Sequence, residues 1–361
     1  MRAVKHLLIG AALIAIVVAI AAYIGQTKVS GIGPTPLLLQ QAEPLQVPAG
    51  SSFRAVVEQL SERGIVDQPL LLRLYARQHK LAHRIQAGEY WLEPGTTHQQ
   101  LMELMVKGKV RNYQVTLVEG QTVRQYMAVL HAHPQIIKTL EQTDPLNIAK
   151  QLGIEGSAEG WIYPDTYLFP QGMTDLKLLR RAYQAMQKVV EQEWPKRSQS
   201  LPLETPYQAL IMASIVEKET GASSERAMIA GVFTRRLQKP MRLQTDPTVI
   251  YGMGESYRGN ITRADLQRKT PYNTYRINGL PPTPIANPGR AAIQAALNPA
   301  AGNALYFVAK GDGSHQFSAT LAQHNRAVTQ YQRSKRRKDY RSAPAQKEPE
   351  VAVPTDSKSA Q

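Results

Sequence analysis

Apolar and small residues run unbroken from Leu7 to Tyr23 (LLIGAALIAIVVAIAAY). A helix rises about 1.5 Å per residue, so roughly 17 to 19 such residues come close to crossing a hydrocarbon core of about 30 Å. The pattern predicts a membrane-spanning helix over residues 7–25. Arg2 and Lys5 precede it, which places residues 1–6 on the cytoplasmic side. A cleaved signal is the competing reading, with Ala19-Ile20-Ala21 as its cleavage site, but signal cores span only about 7 to 15 residues. The length favours a retained anchor, and either way the remainder is exported.

Residues 26–44 carry Gly31, Gly33, Pro34, Pro36 and Pro44 and read as a linker. A weak repeat follows: VPAGSSFRAVVEQL (47–60), LEPGTTHQQLMELM (92–105) and VEGQTVRQYMAVL (118–130). Two residues after Gly50, Gly95 and Gly120 stand Ser52, Thr97 and Thr122, and a one-sided apolar stripe comes next. Each copy predicts a strand, a glycine turn, a hydroxyl cap and an amphipathic helix. The strands fall at 45–47, 88–92 and 113–118, with a further helix over 69–79. Residues 45–111 therefore form a small module whose strand–helix–helix–strand order is similar to a LysM domain, a sugar-binding unit of cell-wall proteins. Helical patterning then covers 122–150 and 174–194, and a joint lies at 195–206. The predicted class is α+β: an anchor, the LysM-like module, and a larger mixed domain over 112–332, divided into 112–200 and 201–332.

Composition changes this picture at three points. The chain has no cysteine, which excludes disulfides and thiol catalysis and removes the usual soft zinc ligands. No HExxH spacing occurs, and no metal or cofactor is expected. The net charge of +15 would ordinarily raise nucleic acid as a partner, but export argues against it. Anionic headgroups or an anionic wall polymer suit the charge better. Residues 333–361 open with a basic run and then lack the apolar residues needed to fold, so disorder is expected there.

The segment YQALIMASIVEKET (207–220) reads as a buried helix, apolar on every side, with Thr205 as cap, Pro206 at its first position and Gly221 as its stop. Glu217 shares a face with Leu210, Ala213 and Ser214. Burial and the negative end of the helix dipole both favour its protonated form, the state a general acid needs. An ordinary helix-end charge paired with Lys218 or Arg226 is the plainer alternative. A helix over 224–238 comes next. The segments at 241–254, 270–275 and 279–290 read as loops, rich in amides, hydroxyls and tyrosines that suit sugar rings.

Six stretches carry a resemblance: EGWIYPDTYLF (159–169), ASIVEKET (213–220), MRLQTDPTVIYG (241–252), PYNTY (271–275), GLPPTPIANPGR (279–290) and LYFVAKGDGSHQFSATLAQHN (305–325). With the anchor and the module, the chain resembles the YceG-like family of endolytic murein transglycosylases over roughly residues 7–332. The resemblance implies non-hydrolytic cleavage of the β-1,4 bond between N-acetylmuramic acid and N-acetylglucosamine, leaving a 1,6-anhydromuramoyl end. It implies Glu217 as the acid/base and places Gln244, Asp246, Tyr272 and Asn273 in the cleft. It also implies peptidoglycan glycan strands as substrate; the anchor adds peptidoglycan synthases as neighbours and a single-pass inner-membrane protein with its catalytic domain in the periplasm. Two alternatives stay open: a hydrolytic muramidase using Asp246 as second carboxylate, and a wall-binding regulator of synthesis without catalysis.

Overall fold

The structure is a computed structural model and describes residues 2–219 and 223–334. The stop expected at Gly221, and the basic tail beyond Ser334, lie outside the described residues. Among the described residues the architecture is mixed α+β, with three separate two-stranded sheets. They divide into two compact units, one holding residues 2–113 with 169–171 and the other holding the rest of them.

The first unit begins with α1 (Arg2–Ile32). Its stretch Ala12–Ile32 is long and apolar enough to cross a membrane. Residues 26–32, expected as linker, are helical instead. Val29 and Ile32 are buried in the unit's core, and this burial extends the helix past the apolar run. Residues 35–38 are also fastened down, since Leu37 N–H donates to Thr96 O (2.8 Å) and Leu38 N–H to Ile65 O (2.9 Å). Next come β1 (Glu43–Val47), α2 (Phe53–Glu62), α3 (Pro69–Gln78), β2 (Gly88–Leu92) and α4 (His98–Lys107). β1 and β2 pair antiparallel with Leu45 opposite Tyr90. Both point inward and close the core with Val57, Leu60, Leu72, Leu101 and Met105. Ser52 accepts from Ala55 N–H, and Thr97 forms a capping box with Gln100.

β3 (Asn112–Thr116) carries the chain into the second unit, and β4 (Thr166–Pro170) pairs with it. Between them lie α5 (Val123–Ala132) and α6 (Pro145–Leu152). The helical span expected over 122–150 is broken after Ala132, where His133 turns extended (ψ 121°) ahead of Pro134. Thr122 forms a second capping box, with Gln125. The unit continues with α7 (Asp175–Glu193), α8 (Pro206–Glu219), α9 (Arg226–Gln238), α10 (Asp246–Met253), α11 (Arg263–Gln267), α12 (Arg290–Leu297), β5 (Tyr306–Ala309), β6 (His315–Ser318) and α13 (Leu321–Val328).

α8 is the unit's central helix. Every residue from Ala209 to Val216 is buried, and α9, α10 and α12 pack around it. Each of its large apolar side chains contributes about 1.5–3 kcal/mol through burial. α10 corrects the loop expected over 241–254: Pro247 pre-sets the first turn, and the apolar Val249 packs inward. β5 and β6 form an antiparallel hairpin closed by Gly311 and Gly313, both at positive φ.

Candidate functional site

Glu217 sits in the last turn of α8 with 7% of its side chain exposed. Gly289 N–H donates to its Oε2 (3.0 Å), and Arg226, at the start of α9, places Nη2 3.7 Å from Oε1. Burial pushes its carboxyl up, opposed by the Gly289 N–H and Arg226; Glu119 adds to the rise. The group can therefore hold a proton, and one donor, Gly289 N–H, with the Arg226 cation nearby, is in place to receive the carboxylate once the proton leaves.

Gly120, at φ +75°, lies against the Glu217 Cγ; a Cβ there would be 3.5 Å away. Lys218 donates from Nζ to Gly120 O (3.2 Å). A reciprocal backbone pair holds this turn: Gly120 N–H donates to Asn287 O, and Asn287 N–H donates to Gln121 O, each at 2.9 Å.

Asn287 is the hub of the arrangement. Its Oδ1 accepts from Gly160 N–H (3.0 Å) and Ile162 N–H (3.1 Å), and its Nδ2 donates to Gln121 O and to Glu159 Oε1. Glu159 also accepts from Val123 N–H (2.9 Å) and Tyr251 OH (3.1 Å). Burial pushes the Glu159 carboxyl up to about 7. These buried groups are spent on one another and fix the loop that presents Gly289.

Glu219, two residues beyond Glu217, faces elsewhere, as helical spacing requires. It accepts from the Thr245 hydroxyl and is pushed up to about 7 by burial. It lines an open cavity of about 760 Å³ together with Lys218, Gln244, Asp246, Tyr275 and Tyr306. Gln244 is held at φ +51°, a strained backbone for a residue other than glycine. Asp246 accepts from Tyr275 OH (2.7 Å).

The expected cleft residues thus divide. Gln244 and Asp246 line the cavity, whereas Tyr272 and Asn273 do not. The Asn273 side chain is consumed by the backbone, donating to the carbonyls of Asp265, Leu266 and Arg268 and accepting from Tyr275 N–H. It shapes the loop and has no amide left for a sugar. Tyr272 bonds Thr283 (2.8 Å) and packs its ring 5.0 Å from that of Tyr251.

Sequence reasoning missed Glu119, Glu159, Asn287 and Gly289. One signal for Glu119 was present: the residues before the three repeat glycines are Ala49, Pro94 and Glu119, and only the third is charged.

Glu217 is thus a buried carboxyl able to hold a proton at the end of a central helix in an α+β protein, and the next two residues, Lys218 and Glu219, line an open polar cavity. The YceG-like family profile matches residues 45–330. The chain is 31% identical over 316 residues to the Endolytic murein transglycosylase of Bacillus subtilis, covering 81% of this chain and 86% of that protein. It is 28% identical over 326 residues to the protein of the same name from Streptococcus pneumoniae strain D39, covering 80% of this chain and 58% of that longer protein. A crystal structure of a YceG-like protein from Listeria monocytogenes matches with a TM-score of 0.52 at 31% identity, covering 80% of this chain and 99% of that one. The chain belongs to the YceG-like family.

Proposed function

We propose that this chain is a peptidoglycan lytic transglycosylase, a carbon–oxygen lyase that cuts inside nascent glycan strands, and that Glu217 is its acid/base. The observation that carries the reading is the Glu217 carboxyl: buried, pushed up, yet furnished with the Gly289 N–H for its ionised form. In the first half-reaction Glu217 gives its proton to the oxygen between N-acetylmuramic acid and N-acetylglucosamine as the bond to C1 breaks. In the second it takes the proton of the muramoyl C6 hydroxyl as O6 bonds to C1. The product is a 1,6-anhydromuramoyl end, and no water, metal or cofactor enters. The names of the Bacillus and Streptococcus relatives support this activity.

Gln244 and Asp246 are the cleft residues we retain, with the strand lying along the cavity of about 760 Å³. A hydrolytic muramidase would need Asp246 to face the same bond as Glu217. Asp246 instead keeps company with Glu219 and Tyr275, which favours the lyase. The strand–helix–helix–strand order of β1, α2, α3 and β2 supports a LysM-like, glycan-holding role for residues 45–111, with the chemistry in residues 112–332. The apolar α1 supports a single-pass inner-membrane anchor with a cytoplasmic N-terminus and a periplasmic remainder, beside the synthases that make the strands.

The test is Glu217→Gln in the full chain, incubated with intact glycan strands, with products read by mass spectrometry. The parent should leave anhydro ends, one water lighter than reducing ends. The variant should lose roughly 10²- to 10⁴-fold in rate, and Glu219→Gln should be far milder. Cleavage by Glu217→Gln within about threefold of the parent overturns the assignment, since general acid/base help is worth far more than that.

A further inference from the structure

The loop after β3 brings a second carboxylate to Glu217. Glu119 precedes Gly120, whose backbone is fastened to Asn287. Its carboxylate lies over the Cα of Gly289 so closely that a Cβ built on Gly289 would sit 1.8 Å from Oε1 and 2.2 Å from the carboxyl carbon. Gly289 is also the residue whose N–H binds Glu217 at 3.0 Å. Gly289 has an ordinary φ of −76°, so its backbone does not require glycine; only the Glu119 carboxylate occupies the space of a side chain.

We infer that Glu119 is a positioning residue for Glu217: the two carboxyl groups converge on Gly289, whose N–H binds Glu217 and whose Cα the Glu119 carboxyl covers. The inference rests on the acid/base role proposed for Glu217. Two carboxylates at one site resist double ionisation. Glu119 is exposed, while Glu217 is the buried partner, whose carboxyl burial pushes up. The charged and titratable groups facing Glu217 are Arg226 from α9, Lys218 from its own helix, Glu119 from the loop, and Tyr126 from α5. The Tyr126 hydroxyl is committed to Val118 O (2.8 Å), and burial holds its proton well above the ordinary phenol range. Arg226 and Lys218 pull Glu217 toward ionisation. Burial does most to keep the proton on Glu217, and Glu119 is the charge that adds to it, so the acid half of the reaction responds to its removal. Once Glu217 has given up its proton, Gly289 N–H and Arg226 hold the carboxylate for the base half.

Glu119→Gln keeps size and hydrogen bonding and removes the charge. A general acid is lost as pH rises through its pKa, and removing Glu119 lowers that pKa. The alkaline limb of kcat/KM for anhydro-end formation by the full chain should therefore move toward acid by about half a unit or more. Activity at a pH on that limb should fall about threefold to tenfold. Gly289→Ala provides an independent route. Its methyl displaces the Glu119 carboxylate, keeps the N–H to Glu217, and should shift the limb the same way. An unshifted limb in either variant, whether at full activity or with a uniform loss across pH, overturns the inference, because a structural role would not move it. Glu217→Gln run alongside separates the two ideas. Its continued cleavage sinks the acid/base reading; its inactivity with an unshifted Glu119→Gln limb sinks only this one.

Discussion

Buried carboxyls in the second unit sort by what they touch. Glu217 accepts one hydrogen bond, from Gly289 N–H, and faces the Arg226 guanidinium at 3.7 Å, whereas Glu159 is enclosed by Val123, Tyr251 and Asn287. Glu159 carries the loop that presents Gly289, and its environment makes that loop's stability depend on pH. Its carboxyl rises from 4.5 to about 7, so the folded chain holds this proton more tightly than the unfolded chain does. Below about pH 4.5 the group carries no penalty, and from there to about 7 its contribution falls as pH rises, by about 3 kcal/mol in all. Glu159→Gln can keep the contacts, its carbonyl accepting from Val123 and Asn287 and its amide donating to Tyr251. The stability of this variant relative to the parent should therefore increase by up to about 3 kcal/mol between pH 4.5 and 8, read by urea unfolding at both values. Glu219 titrates alike in both proteins and cancels. A difference that stays flat with pH would remove Glu159 as the source.

At the scale of elements, hydroxyl caps set where helices begin. Thr122 accepts from Gln125 N–H at the start of α5, and the Gln125 side chain accepts in turn from Thr122 N–H (2.8 Å). Thr122→Val keeps the shape and loses the cap. It should cost about 1 kcal/mol, seen as a lower urea midpoint, and a parent-like midpoint would show that the box contributes nothing. Caps of this kind were legible in the sequence because each is a contact three residues long. The same locality made β1, β2, α2, α3 and the central α8 readable. α10 was misread because polar residues at 241–246 outweighed the Pro247 start signal and the apolar turn behind it. α12 and the β5–β6 hairpin were not foreseen. Around the candidate acid/base, the chain's own pattern pointed to Glu217 alone. Glu119, Glu159, Asn287 and Gly289 meet through contacts between segments far apart in the chain, and such contacts leave no periodic trace. The amide of Asn273, which the resemblance placed in the cleft, is turned onto backbone groups that burial would otherwise leave unpaired, and that of Asn287 onto backbone groups and Glu159.

For the molecule as a whole, α1 decides where the activity can act. At 31 residues it extends about 46 Å, and its last turn, with Val29 and Ile32, is built into the core of the first unit. A coil of 16 residues would have averaged roughly 20 to 24 Å and wandered. Here, instead, residues 35–38 are pinned to Thr96 and Ile65, which ties residues 45–111 stiffly to α1, the proposed anchor. On the proposed function, a glycan-holding module fixed in this way beside a bilayer would meet strands as they leave their synthases, before they are built into the older wall. Cutting such a strand internally would end its elongation, so the proposed enzyme would set strand length. General recycling by an enzyme that happens to be tethered makes a different forecast, a change in released muropeptides with strand length untouched. Cells whose only copy carries Glu217→Gln should have a longer mean glycan strand than cells with the parent, measured by chromatography of strands freed from their peptides. A strand-length distribution equal to the parent's, alongside fewer turnover products, would exclude strand termination and leave recycling.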